Sequence, residues 1–229
     1  MAKTRRELAR EEVMSQILEL GREHLAVHGA AALSLRAVAR DLGMVSSAVY
    51  RYVPSRDALL TLLIVEAYDR LGLVVEQAEA KVDRADLLDR FLVTAHTVRT
   101  WALTHPYEYA LIYGSPVPGY AAPESTIGPA SRVPVVLLGI LRDCPEPALG
   151  RGRLDPVVHS ALAPLATDAA DGIPETLTAR GLASWATLLG SISLEVFGHL
   201  TNVIASGPKA RKAFFDHQMR EVALGLGLA

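Results

Sequence analysis

An all-α fold is predicted for this chain by three observations. Apolar residues recur at helical spacing along most of its 229 residues, no strand-like alternation of useful length appears, and the periodic stretches break at Gly or Pro. The first helix is expected over Arg6 to His28, with Met14, Ile17, Leu18, Gly21 and Leu25 on its inner side and Gly29 ending it. Ser34 is placed to cap a second helix whose Leu35, Val38, Ala39 and Leu42 fall at i, i+3, i+4 and i+7. Gly43 follows, where a left-handed residue commonly ends a helix. Val45, Val49 and Val53 repeat every four residues and give a third helix an inner face, leaving Ser46, Ser47, Tyr50 and Arg51 outward. Ser55 caps a fourth helix running to near Glu79, with Asp57 at its positive end.

Asp86 to Thr104 reads as a further helix with Leu88, Phe91, Leu92, Ala95 and Val98 inward, stopped by Pro106. The aromatic segment PYEYALIYG follows, then a Pro/Gly-rich loop over residues 115–129. Val133 to Leu141 is helical in pattern, CPEPALGRGR is a second breaker-rich loop, and Asp155 to Ala170 forms a helix opened by Pro156. Pro174 begins a long helical stretch to about Ala205, and Gly207-Pro208 separates it from a last helix ending near Leu224.

Two short helices joined by a Gly-containing turn, with polar and aromatic residues outward on the second, form the helix-turn-helix pattern. The runs S-L-R-x-V-A-R-D-L-G-M, A-V-Y-R-Y-V and P-S-R-D-A-L-L resemble the TetR family of one-component transcriptional regulators. The resemblance covers roughly the first quarter of the chain. Arg56 stands where the family usually has lysine, Val45 where it often has Ser or Thr, Val53 where it often has Phe, and Ser47 replaces a frequent glycine. The implied organisation is a helix-turn-helix DNA-binding domain over residues 1–56 and a larger all-helical ligand-binding and dimerisation domain over 57–229.

The resemblance implies a regulator, commonly a repressor, that binds a palindromic double-stranded DNA operator as a dimer and is released by a small apolar or amphipathic ligand. In this motif the recognition helix lies in the major groove. Ser46 and Ser47 then discriminate bases weakly, Ala48 permits close approach, and Arg51 is the strong base reader, able to bind guanine bidentately. Tyr50 and Tyr52 match family aromatics whose hydroxyls meet phosphates. Arg56 at the start of helix four, and Ser34 and Arg36 at the start of helix two, face the DNA backbone, and Arg5 and Arg6 resemble the family's flexible basic arm. The final two helices are the expected homodimer interface, with Ala186, Gly190, Ser193 and Gly198 small among large apolar residues. For a ligand of unknown identity, the candidate contacts are His96, Trp101, Tyr109, Tyr113, Trp185, Glu195 and His199. Glu195 needs a partner, because a carboxylate in an apolar helix stretch is costly alone.

The charge balance agrees with contact at one end. Residues 1–56 hold nine Lys/Arg against six Asp/Glu, a balance of +3, and the remainder 14 against 19, a balance of −5. The single cysteine, Cys144, excludes an intrachain disulfide and a Cys-based zinc site. No signal peptide and no membrane-length apolar run is read, since Glu195 and His199 interrupt the nearest one, so a cytoplasmic protein is expected. No H-E-x-x-H, G-x-S-x-G, Walker or GxGxxG spacing exists, so an enzyme is not expected, nor a cofactor. His24 and His28 at i, i+4 have no carboxylate between them to complete a metal-site motif. A regulator without a small ligand, answering to a protein partner, is the alternative reading.

Overall fold

The computed structural model describes residues 4–145 and 153–228, and among these it is all-helical, without strands. Ten α-helices follow in order: α1 Arg5–His28, α2 Leu35–Asp41, α3 Ser46–Val49, α4 Arg56–Glu79, α5 Leu87–Thr104, α6 Pro106–Tyr113, α7 Ile127–Asp143, α8 Pro156–Ala166, α9 Glu175–Val196 and α10 Pro208–Leu226. Packing divides them into two compact units, residues 1–69 with 105–129, and residues 70–104 with 130–229. The boundary expected after residue 56 therefore differs from the division the packing makes. Leu59, Leu60 and Leu63 of α4 are buried in one cluster with Ile17, Leu35, Val38, Val49 and Val53, which keeps the first turns of α4 in the first unit.

The first unit is built on caps and close approach. Thr4 and Glu7 form a reciprocal capping box that starts α1. Gly21 sits against α4, where an added Cβ would meet Leu63 Cδ1 at 3.3 Å. Gly43 takes the left-handed conformation expected of it, with φ +69°. The Ser55 hydroxyl accepts from the Ala58 N–H at 3.0 Å, as a cap should. The aromatic segment at 106–113 is helix α6, opened by Pro106 at its first turn, with Tyr109 fully buried. The loop expected to 129 ends early: a 3-10 turn at Glu124–Thr126 leads directly into α7.

In the second unit α5 packs on both α9 and α10, α9 packs on α10, and α8 packs on α9. Its core holds Phe91, Leu92, Ala95 and Val98 of α5, Leu188 and Ile192 of α9, and Phe215, Met219 and Ala223 of α10. Helix α9 stops at Val196, short of the stretch expected to reach Ala205. Phe197 leaves the helical region and Gly198 turns left-handed at φ +79°. Helix α8 likewise ends at Ala166 rather than Ala170, with Thr167 as its C-cap. Most of the second breaker-rich loop lies outside the described residues.

Buried charge organises this unit. Arg99 Nε and Nη2 donate to Glu195 Oε2 and Oε1, both at 2.6 Å, and both side chains are almost wholly buried. Arg90 donates to Glu79 at 2.6 Å, to Asp143 at 2.8 Å and to the Arg84 carbonyl at 3.2 Å. The Asp143 carboxyl is held below its ordinary value of about 3.8, first by the Arg90 hydrogen bond and then by Arg84, against desolvation that pushes it up.

Two outcomes follow from these pairs. Arg99→Met leaves a buried carboxylate uncompensated and should cost about 3–5 kcal/mol. The double variant Arg99→Met/Glu195→Leu should recover most of it. Urea unfolding followed by tryptophan fluorescence reads this unit, since both tryptophans, Trp101 and Trp185, belong to it. Asp143, with its depressed folded value, stabilises fully above the ordinary carboxylate range and loses that contribution as pH falls through the folded value. Asp143→Asn should lower the urea midpoint near neutral pH and flatten the decline below pH 4.

Candidate nucleic-acid interface

The recognition segment is short and stands on its neighbours. Helix α3 has four residues, and the Val53 N–H still donates to the Val49 carbonyl at 3.0 Å, so helical bonding runs on through the turn to Val53. Val49 and Val53 are fully buried, as their spacing predicts. Val45 is not: it is the N-cap residue and 71% exposed. Because it precedes the helix, the four-residue repeat does not carry it to the inner face. No side chain caps this terminus, since valine has no acceptor to offer.

What remains outward is the predicted face, with Ser47, Tyr50 and Arg51 exposed and Ser46 and Ala48 half-buried. Arg36 is exposed at the start of α2. Ser34 holds the N-cap position of α2 with extended backbone, but its side chain makes no capping bond. Tyr52 is half-buried against the apolar cluster, with the Arg10 guanidinium 5.5 Å from its ring centre. Arg10 attracts no notice in the sequence, because the contact joins residues 42 positions apart.

Arg5 and Arg6 depart from the expectation of a flexible arm. They are the first residues of α1, held there by the Thr4–Glu7 capping box. Arg56 is engaged within the first unit. Its Nε donates to the Leu33 carbonyl at 3.2 Å, and its Nη2 to the carbonyls of Ala30 and Ala31 at 3.0 and 3.2 Å. The guanidinium thus closes the α1–α2 connection onto the start of α4. Lysine, a compact point charge, does not offer this spread of donors.

Two more clasps hold the head. Arg22 joins Glu66 at 2.5 Å across α1 and α4, and His24 Nε2 lies 2.7 Å from Asp41 Oδ2 across α1 and α2. His24 and Arg40 together hold the Asp41 carboxyl below its ordinary value. His24 is therefore engaged with α2, and among the described residues no group of three or more His, Cys, Asp or Glu is arranged to hold a metal ion.

The candidate ligand contacts are divided between the two units, and several are engaged by other side chains. Glu195 has its partner in Arg99, and His96 lies 3.1 Å from Asp216, itself bound by Arg220. Trp101 is core, and His199 is exposed in the turn after α9. Tyr109 and Tyr113 belong to the first unit, where their ring centres lie 5.3 Å apart with the planes tilted by 50°. Of the seven, Trp185 alone lines the apolar cavity between α7, α8 and α9.

A turn with a left-handed glycine between two short helices, packed on a third and presenting Ser47, Tyr50 and Arg51 to solvent, defines a helix-turn-helix DNA-binding protein. Residues 17–63 match the family model "Bacterial regulatory proteins, tetR family", and residues 91–222 match "Tetracyclin repressor-like, C-terminal domain". The chain is 43% identical over 220 residues to the HTH-type transcriptional regulators Rv1816 of Mycobacterium tuberculosis and Mb1846 of Mycobacterium bovis, covering 93% of this chain and 91% of each relative. The solved structure of protein SCO4313 is 31% identical with a TM-score of 0.77, covering 96% of this chain and 98% of that one. The TetR family regulator PfmR of Thermus thermophilus, 18% identical with a TM-score of 0.59, covers 92% of this chain and 98% of its own and shares the fold. This chain belongs to the TetR family of transcriptional regulators. It is a regulator and not an enzyme.

The different surroundings of Arg51, Arg36 and Arg56 separate in a salt titration of DNA affinity. Arg51→Ala should relax specificity at one base position by about 1–3 kcal/mol. Arg36→Ala should weaken all sequences alike and lower the log–log salt slope by about 1. Arg56→Met should leave that slope unchanged and instead lower stability by about 1.5–3 kcal/mol.

Proposed function

We propose that the chain is a cytoplasmic repressor that binds a palindromic operator as a homodimer and is released by a small apolar or amphipathic ligand. The observation that carries the dimer is an outward stripe on α9. Leu182, Ala186, Gly190 and Leu194 recur every four residues and are all exposed, and Phe197 continues the line at 43% exposure. A ridge at i±4 spacing with small residues at its middle suits close packing against an identical helix. Phe214 and Leu224 of α10 are exposed as well, matching an interface built from the last two helices. One recognition segment of this size makes few base contacts, so two half-sites related by two-fold symmetry are the economical way to specificity.

In this reading Ser46, Ser47, Ala48 and Arg51 meet base edges, and Tyr50, Ser34, Arg36, Arg5 and Arg6 meet backbone. Arg56 and Tyr52 act mainly by holding the head in shape. Release requires only that a ligand favour one arrangement of the two heads over the other. A coupling of about 1–3 kcal/mol changes affinity roughly 5–150-fold. Helix α4 is suited to transmit it, because it supplies residues 56–69 to one unit and 70–79 to the other. No described helix is long and apolar enough to cross a membrane.

Selection of bound duplexes from a random pool, followed by footprinting, tests the operator directly. Enrichment of an inverted repeat protected over both arms is expected, and enrichment of single unpaired half-sites would overturn the dimer reading. Leu194→Glu should convert the species seen by analytical ultracentrifugation to monomer and weaken operator binding at least tenfold, leaving the melting of the isolated chain cooperative.

A further inference from the structure

One side chain on the recognition surface has no use inside the chain. Val45 stands at the N-cap of α3 with extended backbone, φ −67° and ψ 140°, and no side chain caps the helix. At 71% exposure it is more open than Tyr50, at 42%, on the same segment. Met44, just before it, packs against the apolar cluster, so the chain passes from core to solvent between these two residues. A single exposed apolar residue is ordinary on a protein surface. An exposed valine at a helix N-cap is not, because Ser, Thr, Asn and Asp are preferred there and valine is among the poorest choices.

Threonine, which the family often has here, is the measure of what valine gives up. The two side chains share a branched shape, and threonine would add an acceptor for the open N–H groups of α3. Charge does not exclude it, since threonine is neutral. Valine therefore forgoes a cap, and its exposed γ-methyls find no packing within the chain that would offset the loss. Departures from local rules without an internal return gather at functional sites. The position supplies the use. In helix-turn-helix docking the N-terminal residues of the recognition helix meet base edges in the major groove. The apolar group displayed there is the C5-methyl of thymine. Residues 43–53 include no Asp or Glu to be repelled by phosphate. Branching at Cβ holds valine to few rotamers, so little freedom is lost when it packs against that methyl.

We propose that Val45 is a thymine reader, packing its exposed γ-methyls on the C5-methyl of one thymine in each operator half-site. Ala48, whose N–H donates to the Val45 carbonyl at 2.9 Å, stands one turn along and keeps the approach open with its small side chain. Val45 thereby adds a second letter to the guanine assigned to Arg51. The inference rests on the operator reading above and goes beyond it by naming a base and the group on that base.

The test uses the full chain and the duplex that it selects from a random pool. Thymine should be enriched at one position in each arm. Each thymine of that duplex is then replaced singly by deoxyuridine, which removes the C5-methyl and leaves the hydrogen-bonding groups in place. One such replacement should weaken binding about fourfold, and about fifteenfold when made in both arms, on the ordinary worth of burying a methyl group. In Val45→Ser and Val45→Ala the same replacement should change affinity by less than about twofold, the partner methyls being gone. Val45→Ser should melt no lower than wild type, because its hydroxyl can cap α3. A pool without enriched thymine, a duplex indifferent to every replacement, or a replacement that costs the variants as much as wild type would overturn the proposal and leave the operator reading standing. Loss of cooperative melting in Val45→Ser would overturn it too, by showing that the side chain holds the head together. Should no duplex be enriched at all, both readings fall together.

Discussion

The DNA-binding head depends on the insertion of the first turns of α4 into the apolar cluster beneath the recognition segment. Four residues of helix are far too few to hold their conformation alone. Helix α3 keeps its shape because Val49 and Val53 press on the same cluster as Leu59, Leu60 and Leu63, with α1 closing the other side. Gly21 lets α1 and α4 approach, and the Arg56 guanidinium gathers three carbonyls of the α1–α2 connection onto the start of α4. Orientation of the outward serines, tyrosine and arginine is therefore a property of the whole unit.

The second unit uses a different device. Its α5, α9 and α10 share apolar contacts, and the bidentate Arg99–Glu195 pair adds a directional tie between α5 and α9. Buried pairs of this kind add little net stability against well-packed apolar replacements, but they penalise any misplacement heavily. Here that selectivity falls on α9, the helix carrying the outward stripe.

Much of this was legible before the structure. Helical periodicity placed α1, α4 and α5 within a residue or two, because long amphipathic helices with clear caps leave little ambiguity. The positive φ of Gly43, the buried face of α2 and the burial of Val49 and Val53 were legible as well, but the burial expected of Val45 was not found. What failed depended on tertiary partners or on breakers within apolar runs. Apolar residues from Val196 to Ala205 read as helix because Gly198 alone does not announce a stop, and Asn202 adopts φ +65° in the turns beyond it. Glu195 signalled a missing partner correctly, yet nothing in the sequence named Arg99, 96 residues away. Aromatic content suggested a cavity among residues that include Trp101, Tyr109, Tyr113 and Trp185, and of these Trp185 lines the half-open apolar cleft between α7, α8 and α9, whose other walls are mostly leucines that look like ordinary core.

The capping box at Thr4 carries a consequence for how the head meets its target. Arg5 and Arg6 are wound into α1 before any duplex arrives, at the end of the helix where positive charge is least welcome and Glu7 offsets it. A loose tail would lose motional freedom on docking and could wrap toward the narrow side of the double helix. Winding residues 5 and 6 into α1 settles the ordering of their backbone during folding, while the two exposed side chains keep their rotamer freedom.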